Sequence, residues 1–222
     1  MEILVIVLIA VVIIGGFVLS HLAARQRREA LAALAAKLGL TFRPDDDPDL
    51  AEQLDFLRKL DLGSHRYVYN LLRGQHRGHE VMLFDFHYQT TSGAGKSRRT
   101  QHFRFSVLTL VLPRRFPELV ITTEGLLSKI AQAIGFDDID FESAEFSRTF
   151  CVRSRDRKFA YDVCHPRLME YLLAHRDLEL EIDGNLLALV FDTCLEPAEL
   201  ETRLAQLVEI RMLLPDYLLT KS

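Results

Sequence analysis

The chain has 222 residues, with 27 Lys and Arg against 31 Asp and Glu and a formal net charge of −4 at pH 7. That balance weighs against a general nucleic-acid binder, which carries a clear basic excess. Three widely spaced cysteines, Cys151, Cys164 and Cys194, with no C-x-x-C, suggest neither a disulfide framework nor a zinc site and leave reduced, mostly buried thiols as the expectation.

Residues 3–19 are an unbroken apolar run without a charge. At helical rise the run spans about 26 Å, short of a roughly 30 Å hydrocarbon core, and residues 20–24 extend it with His21 alone awkward. Glu2 before the run and Leu22-Ala23-Ala24 after it fit a cleaved signal peptide poorly, so residues 1–24 are expected to form a retained single-pass transmembrane anchor. Arg25, Arg27 and Arg28 follow at once; the positive-inside rule then places the N-terminus outside and the body of the chain in the cytoplasm. Gly16, Ser20 and Ala24 recur every four residues, a small-residue face on which a second helix can pack, and hence a candidate homodimer contact.

Residues 25–40 continue the helix as a stalk, with Leu31, Leu34 and Leu38 on one stripe and Gly39 as its stop. Residues 41–222 are enough for one α+β domain of ordinary size. Asp47 is placed to cap, and Pro48 to open, a helix that turns Leu50, Leu54, Leu57 and Leu60 inward. Partial alternation of Val, Leu, Phe and Tyr then predicts strands over 66–73, 80–88 and 102–112 as an antiparallel meander, with a fourth over 118–123 and a short helix over 125–134. Segments 178–182 and 186–192 flank Asp183-Gly184-Asn185, the strongest hairpin signal in the chain. Glu196-Pro197 opens a final helix carrying Leu200, Leu204, Leu207 and Leu214 on one face.

Motifs that carry chemistry are scarce. The stretch 91–97 ends in the Gly95-Lys96-Ser97 of phosphate-binding loops, but Thr90 stands where that motif needs glycine and strand follows where it needs a helix, so a hairpin tip is expected. His76, His79 and Glu80 straddle a turn into a strand and do not share a face, so no metal and no cofactor are assigned. No G-x-S-x-G, partnered cysteine or framed carboxylate pair marks a catalytic residue. In a meander alternate turns share one end of the sheet, which would gather Arg73, His76, Arg77, Arg114 and Arg115 from the turns 73–78 and 113–117 into a basic surface for a protein partner or anionic lipid. The opposite end carries Lys96, Arg98 and Arg99, and either basic end is a candidate to face anionic lipid or to grip an acidic partner.

Phe141-Glu142, Glu145-Phe146, Phe150 and Val152, followed by Asp156, Ala160, Pro166, Met169, Glu170 and Leu172, form a pattern of their own. It resembles the segment F-E-x-x-E-F-x-x-x-F-x-V, an acidic residue and a proline-led helix containing Met, of uncharacterised bacterial membrane-associated proteins grouped as a domain of unknown function. The resemblance covers about residues 140–190 and implies a bacterial envelope setting, with no activity and no site residues. Physically the segment is scaffold: Ser143 caps a short helix, Phe146 and Phe150 stack at i, i+4, Phe150 and Val152 share one face of a strand, and Asp156 and Pro166 begin two further helices.

The expected architecture is a transmembrane helix and helical stalk, then an antiparallel sheet of six or seven strands covered by helices on one side, with a long final helix analogous to pleckstrin-like barrels. The expected function is a binding or scaffold module at the bacterial inner membrane, contacting a protein partner or anionic lipid headgroups. The alternative is an enzyme or nucleotide-binding protein acting on a phosphate-bearing ligand.

Overall fold

The computed structural model describes residues 2–93, 97–123 and 138–220, with backbone alone for residues 2–13. Helix α1 (Glu2–Leu38) leads into β1 (Thr41–Arg43), α2 (Pro48–Gln53), β2 (Ser64–His76), β3 (His79–Ser92) and β4 (Arg99–Thr123). After these come α3 (Ala144–Thr149), β5 (Phe150–Ser154), α4 (Arg157–Val163), α5 (Pro166–Ala174), β6 (Glu179–Val190), α6 (Pro197–Leu213) and α7 (Asp216–Leu219). The helix expected over 125–134 and the residue Lys96 lie outside the described residues.

The α+β class is as expected: one antiparallel sheet of six strands, ordered β1-β2-β3-β4-β5, with β6 pairing β4. Strand β4 organises it. Its first half pairs β3 from Ser92↔Arg99 to Val81↔Leu110, its last turns of chain pair β5, and β6 follows its other edge from Val107 to Ile121. Among the described residues no ladder joins β1 to β5 or β6, so the sheet stays open and the pleckstrin-like closure does not form.

Two expected chain reversals are absent for one shared reason. Residues 113–117 lie inside β4 and Asp183-Gly184-Asn185 inside β6, and the two segments face each other. The register passes from Val111↔Leu186 to Phe116↔Gly184 and on to Leu119↔Ile182. More residues of β4 than of β6 lie between the first two of these pairs, so β4 bulges and the ladder bends there. Gly184 takes the left-handed φ of 53° that the bend requires, and Pro113 and Pro117 sit where a strand donor is dispensable. Turn residues that meet across a ladder have made a kink in two long strands instead of two hairpins.

Both faces of the sheet are covered, not one. On the larger face Leu83, Leu108, Leu119, Val152 and Leu187 pack with α1, α4, α5 and α6 through Leu31, Ala160, Leu168 and Leu204. On the other, Val68, Phe84, Phe86, Val107 and Ala188 lie beneath Ala51, Leu54, Leu57 and Leu60, which belong to α2 and the turns after it. Local sequence signals act as expected: the side chains of Asp47, Ser143 and Asp156 accept from the amides of Leu50, Phe146 and Phe159. The rings of Phe146 and Phe150 lie 5.2 Å apart, and both are buried.

Helix α1 is a single rod of 37 residues, about 55 Å long, so the expected anchor and stalk are one element. Its second half belongs to the core: Leu31 and Ala35 are buried and Leu34 and Leu38 partly so, the stripe a helix presents to a sheet. Among the described residues no helix is long and apolar enough to cross a membrane. The expected span therefore has no counterpart there, most of its side chains lying outside the described residues.

Candidate anchoring and docking surfaces

A buried polar network fastens α1 to the sheet. Asp85 lies in β3 between Phe84 and Phe86, and both of its oxygens are filled. Ser106 Oγ donates to Oδ1 at 2.7 Å and Asn70 Nδ2 to Oδ2 at 2.9 Å. Arg27 of α1 adds Nη2 at 3.0 Å to each oxygen and Nε at 3.2 Å to Oδ2. Arg27 Nη1 also donates to the Leu195 carbonyl at 2.7 Å, and the Leu195 amide donates to Ser106 Oγ at 2.9 Å. Asn70 reaches the carboxylate because it sits at an irregularity of the β2 ladder with φ 52°, a left-handed conformation that Asn tolerates. A buried ion pair is retained at low cost only when its remaining hydrogen-bonding capacity is met, as it is for this carboxylate.

Before Arg27 the helix leaves the domain. Phe17 and Leu19 are 70% and 68% exposed, Ile14, Val18 and Leu22 are exposed as well, and a side chain added at Gly16 would meet nothing within 4 Å. Gly16, Ser20 and Ala24 therefore stay uncovered, Ser20 Oγ donating only to its own helix at the Phe17 carbonyl and Ala24 standing at the rim of a cleft. That cleft, about 480 Å³, lies between α1 and the start of α6 and is lined by Ala23, Ala24, Gln26, Arg27, Ala30, Glu196 and Pro197.

The basic surface foreseen from the turns divides into two neighbourhoods. Arg73 pairs with Glu80 across the β2–β3 hairpin at 2.7 Å. Arg77, at the hairpin tip with φ 48°, lines a groove of about 380 Å³ with Arg167 of α5 and Ala205, Val208, Glu209, Met212 and Leu213 along α6. His76 lies near Arg77 and Glu201, and burial foremost lowers its pKa. Arg114 and Arg115 belong instead to the bend of β4: Arg114 lies over the Phe116 ring at 5.0 Å, and Arg115 lies against Gly184. The reason is the missing turn at 113–117, whose residues are spent on the bulge.

A second cluster lies where residues 58–59 cross the sheet. Lys59 Nζ sits 2.6 Å from Glu179 and 3.0 Å from Asp192. Arg58 pairs with Glu118, and its amide donates to buried Glu181 at 2.6 Å. Burial pushes Glu181 up to about 8 and raises Glu179 as well. The space these groups enclose is about 10 Å³, room for about one water and far below the few hundred Å³ of a substrate pocket.

Neither polar cluster was foreseen. A lone Asp inside the apolar run Leu83-Phe84-Asp85-Phe86, with Ser106 in the matching strand, is the pattern that marks a buried acceptor awaiting a cation. Strand β3 ends at Ser92 and β4 begins at Arg99 as its antiparallel partner, so strand lies on both sides of this segment in place of the strand-to-helix passage of a phosphate loop; residues 94–96 lie outside the described residues. Among the described residues no group of three or more His, Cys, Asp or Glu is placed to hold a metal, and the three cysteines are free.

These elements define a class of protein: an α+β domain built on one bent antiparallel sheet, with a long N-terminal helix locked into its core. The fold is similar to that in the crystal structure of the mycobacterial trehalose monomycolate transport factor A, TtfA, which superposes with a TM-score of 0.62 at 14% identity, covering 86% of this chain and 97% of that one. At that identity the likeness establishes the fold alone. No protein-family model and no curated protein matches the chain.

Proposed function

We propose that the protein is a membrane-anchored binding module: residues 1–24 hold it in the bacterial inner membrane and the domain presents a docking groove for a protein partner on the cytoplasmic side. One observation carries the reading. The second half of α1 is built into the core and locked by Arg27 and Asp85, while the described first half leaves the domain with large apolar side chains bare. A soluble domain gains nothing from a projecting apolar helix, whereas residues 3–19 continue it as a charge-free run suited to lipid. The arginines that follow orient the body inward. The small-residue face Gly16, Ser20 and Ala24 is free to pair with a second helix in the bilayer. The fold shared with a protein described as a transport factor is compatible with this setting.

The groove of Arg77, Arg167 and Met212 is the docking surface we favour. Neither arginine forms an ion pair among the described residues, and Met212 is exposed beside them, so the groove suits an acidic segment with an apolar side chain. A protein fits better than lipid. Gly74, at the base of the same hairpin, packs against Gly39 and Leu40, about 28 Å along α1 from Ser20. With α1 near the bilayer normal, that is more than three times the Debye length of about 8 Å.

The test is mass spectrometry of proteins that co-purify in stoichiometric amount with the intact chain, gently solubilised from its native membrane. A partner kept by the wild type and lost from Arg77→Glu/Arg167→Glu is the expected result. The same partners with both proteins, or none with either, would overturn the groove as the docking site.

A further inference from the structure

The other end of the sheet differs from the groove in charge, cover and direction. Between Asp85 and Glu118 the sequence contains no acidic residue but does contain Lys96, Arg98, Arg99 and Arg104, within a protein of net charge −4. Among the described residues Arg98, Arg99 and Arg104 are exposed and enter no ion pair. The ribbon is also uncovered. Strand β2 stops pairing at Ser64↔Gln89 and β6 at Val107↔Val190, so among the described residues the pairs from Thr90↔Gln101 to Ser92↔Arg99 have no third strand beside them. A two-stranded ribbon is marginal in water and gains most from a surface to lie on. Its root is aromatic: Tyr88 stacks on Phe103 at 4.7 Å, and Tyr67 stacks on His87, whose Nε2 lies 3.0 Å from His102 Nδ1.

Two tie points give the ribbon its direction. Gly74, paired with Val81 of β3, touches Gly39 and Leu40; Asp85 of β3 holds Arg27. From the first tie to the second, α1 is followed backwards for about 18 Å and β3 forwards for about 13 Å. The C-terminal half of β3 thus heads the same way as the N-terminal half of α1. From Asp85 to Ser92 is about 23 Å more of strand, comparable with the roughly 20 Å of helix from Arg27 back to Ile14.

We propose that the bare end of the β3–β4 ribbon, through Arg98 and Arg99 with Arg104 at its root, rests on anionic phospholipid headgroups beside the point where α1 meets the membrane. This rests on the anchor reading of residues 1–24. The ribbon and α1 then form two unequal legs: an apolar one that holds the protein in the bilayer, and a basic one that sets the tilt of the domain on its surface. Positive charge within a Debye length of an anionic leaflet is attracted, and aromatic side chains behind it suit the interface.

The chain has no tryptophan, so single reporters can be placed in the full-length protein. Phe17→Trp reports on the anchor and Thr100→Trp on the ribbon, each reconstituted into phosphatidylcholine vesicles with or without one third phosphatidylglycerol and a headgroup spin-labelled lipid. Phe17→Trp should be protected from aqueous iodide in both compositions. Thr100→Trp should be quenched by the labelled lipid in the anionic vesicles, and about three-fold less in neutral vesicles, at 0.5 M salt, or in Arg98→Glu/Arg99→Glu. A buried Phe17→Trp with an unquenched Thr100→Trp in anionic vesicles overturns the ribbon contact and leaves the anchor standing. Iodide quenching of Phe17→Trp in vesicles overturns both.

Discussion

From Arg27 to Leu38, α1 turns Arg27, Leu31, Leu34, Ala35 and Leu38 onto the sheet; from Ile14 to Leu22 the same helix carries bulkier apolar residues that are left bare. The two stretches differ in what the fold offers them. The first meets an apolar sheet face with one buried carboxylate in it, and the second is left exposed. Helix formation is indifferent to this, since the hydrogen bonds close within the helix in either case. A continuous helix can therefore belong to two environments, and the side-chain stripe shows where the change occurs.

The contrast is broken most severely at its fastening. Asp85→Ala leaves Arg27, Asn70 and Ser106 without their common acceptor and should cost about 3–5 kcal/mol, read as a lower urea midpoint with increased proteolysis of the segment around residues 25–40. Next, Leu31→Ala removes a side chain that is 1% exposed and should cost about 2–4 kcal/mol, whereas Leu19→Ala, in the bare stretch, should change the stability of the detergent-solubilised domain by less than about 0.5 kcal/mol. Equal effects at the two positions would remove the division of α1. The smallest effect is expected at the exposed pair Arg25–Glu29: Arg25→Ala should cost under about 0.5 kcal/mol.

The polar cluster beneath residues 58–59 gives a pH signature through Glu181. Burial holds Glu181 protonated up to about 8, against 4.5 for an unperturbed carboxyl. Between these values the folded state carries a proton that the unfolded state has lost, so this group's contribution is fully present below pH 4.5 and falls as pH rises toward 8. Glu181→Gln should flatten that part of a stability–pH profile measured by urea unfolding, most visibly between pH 6 and 8. An unchanged slope would show that Glu181 is ionised in the folded protein.

Much of this was legible in the sequence where a local rule acts alone. Asp47, Ser143 and Asp156 cap the helices they were expected to cap, Glu196-Pro197 opens α6, and of the periodic leucines Leu31, Leu200, Leu204, Leu207 and Leu214 are buried while Leu34 and Leu38 of the stalk are partly so. What failed was non-local. Pro113 to Pro117 and Asp183-Gly184-Asn185 are turn signals individually, and only their pairing across β4 and β6 turns them into a bend. The Arg27–Asp85 pair joins residues 58 apart in sequence, and each has an ordinary local explanation: a positive-inside arginine and an acid in a strand. The division of the basic residues into a groove and a β-bend followed from the same missing turn.

The proposed anchor requires that the bare half of α1 continue into the bilayer while the domain holds it in place. Alkaline carbonate extraction of membranes from cells expressing the full chain tests it most directly, because carbonate strips proteins held by charge or by a partner and leaves spanning helices in place. The account predicts that the protein stays in the membrane pellet, as does Arg98→Glu/Arg99→Glu. Release of the full chain into the supernatant would contradict it.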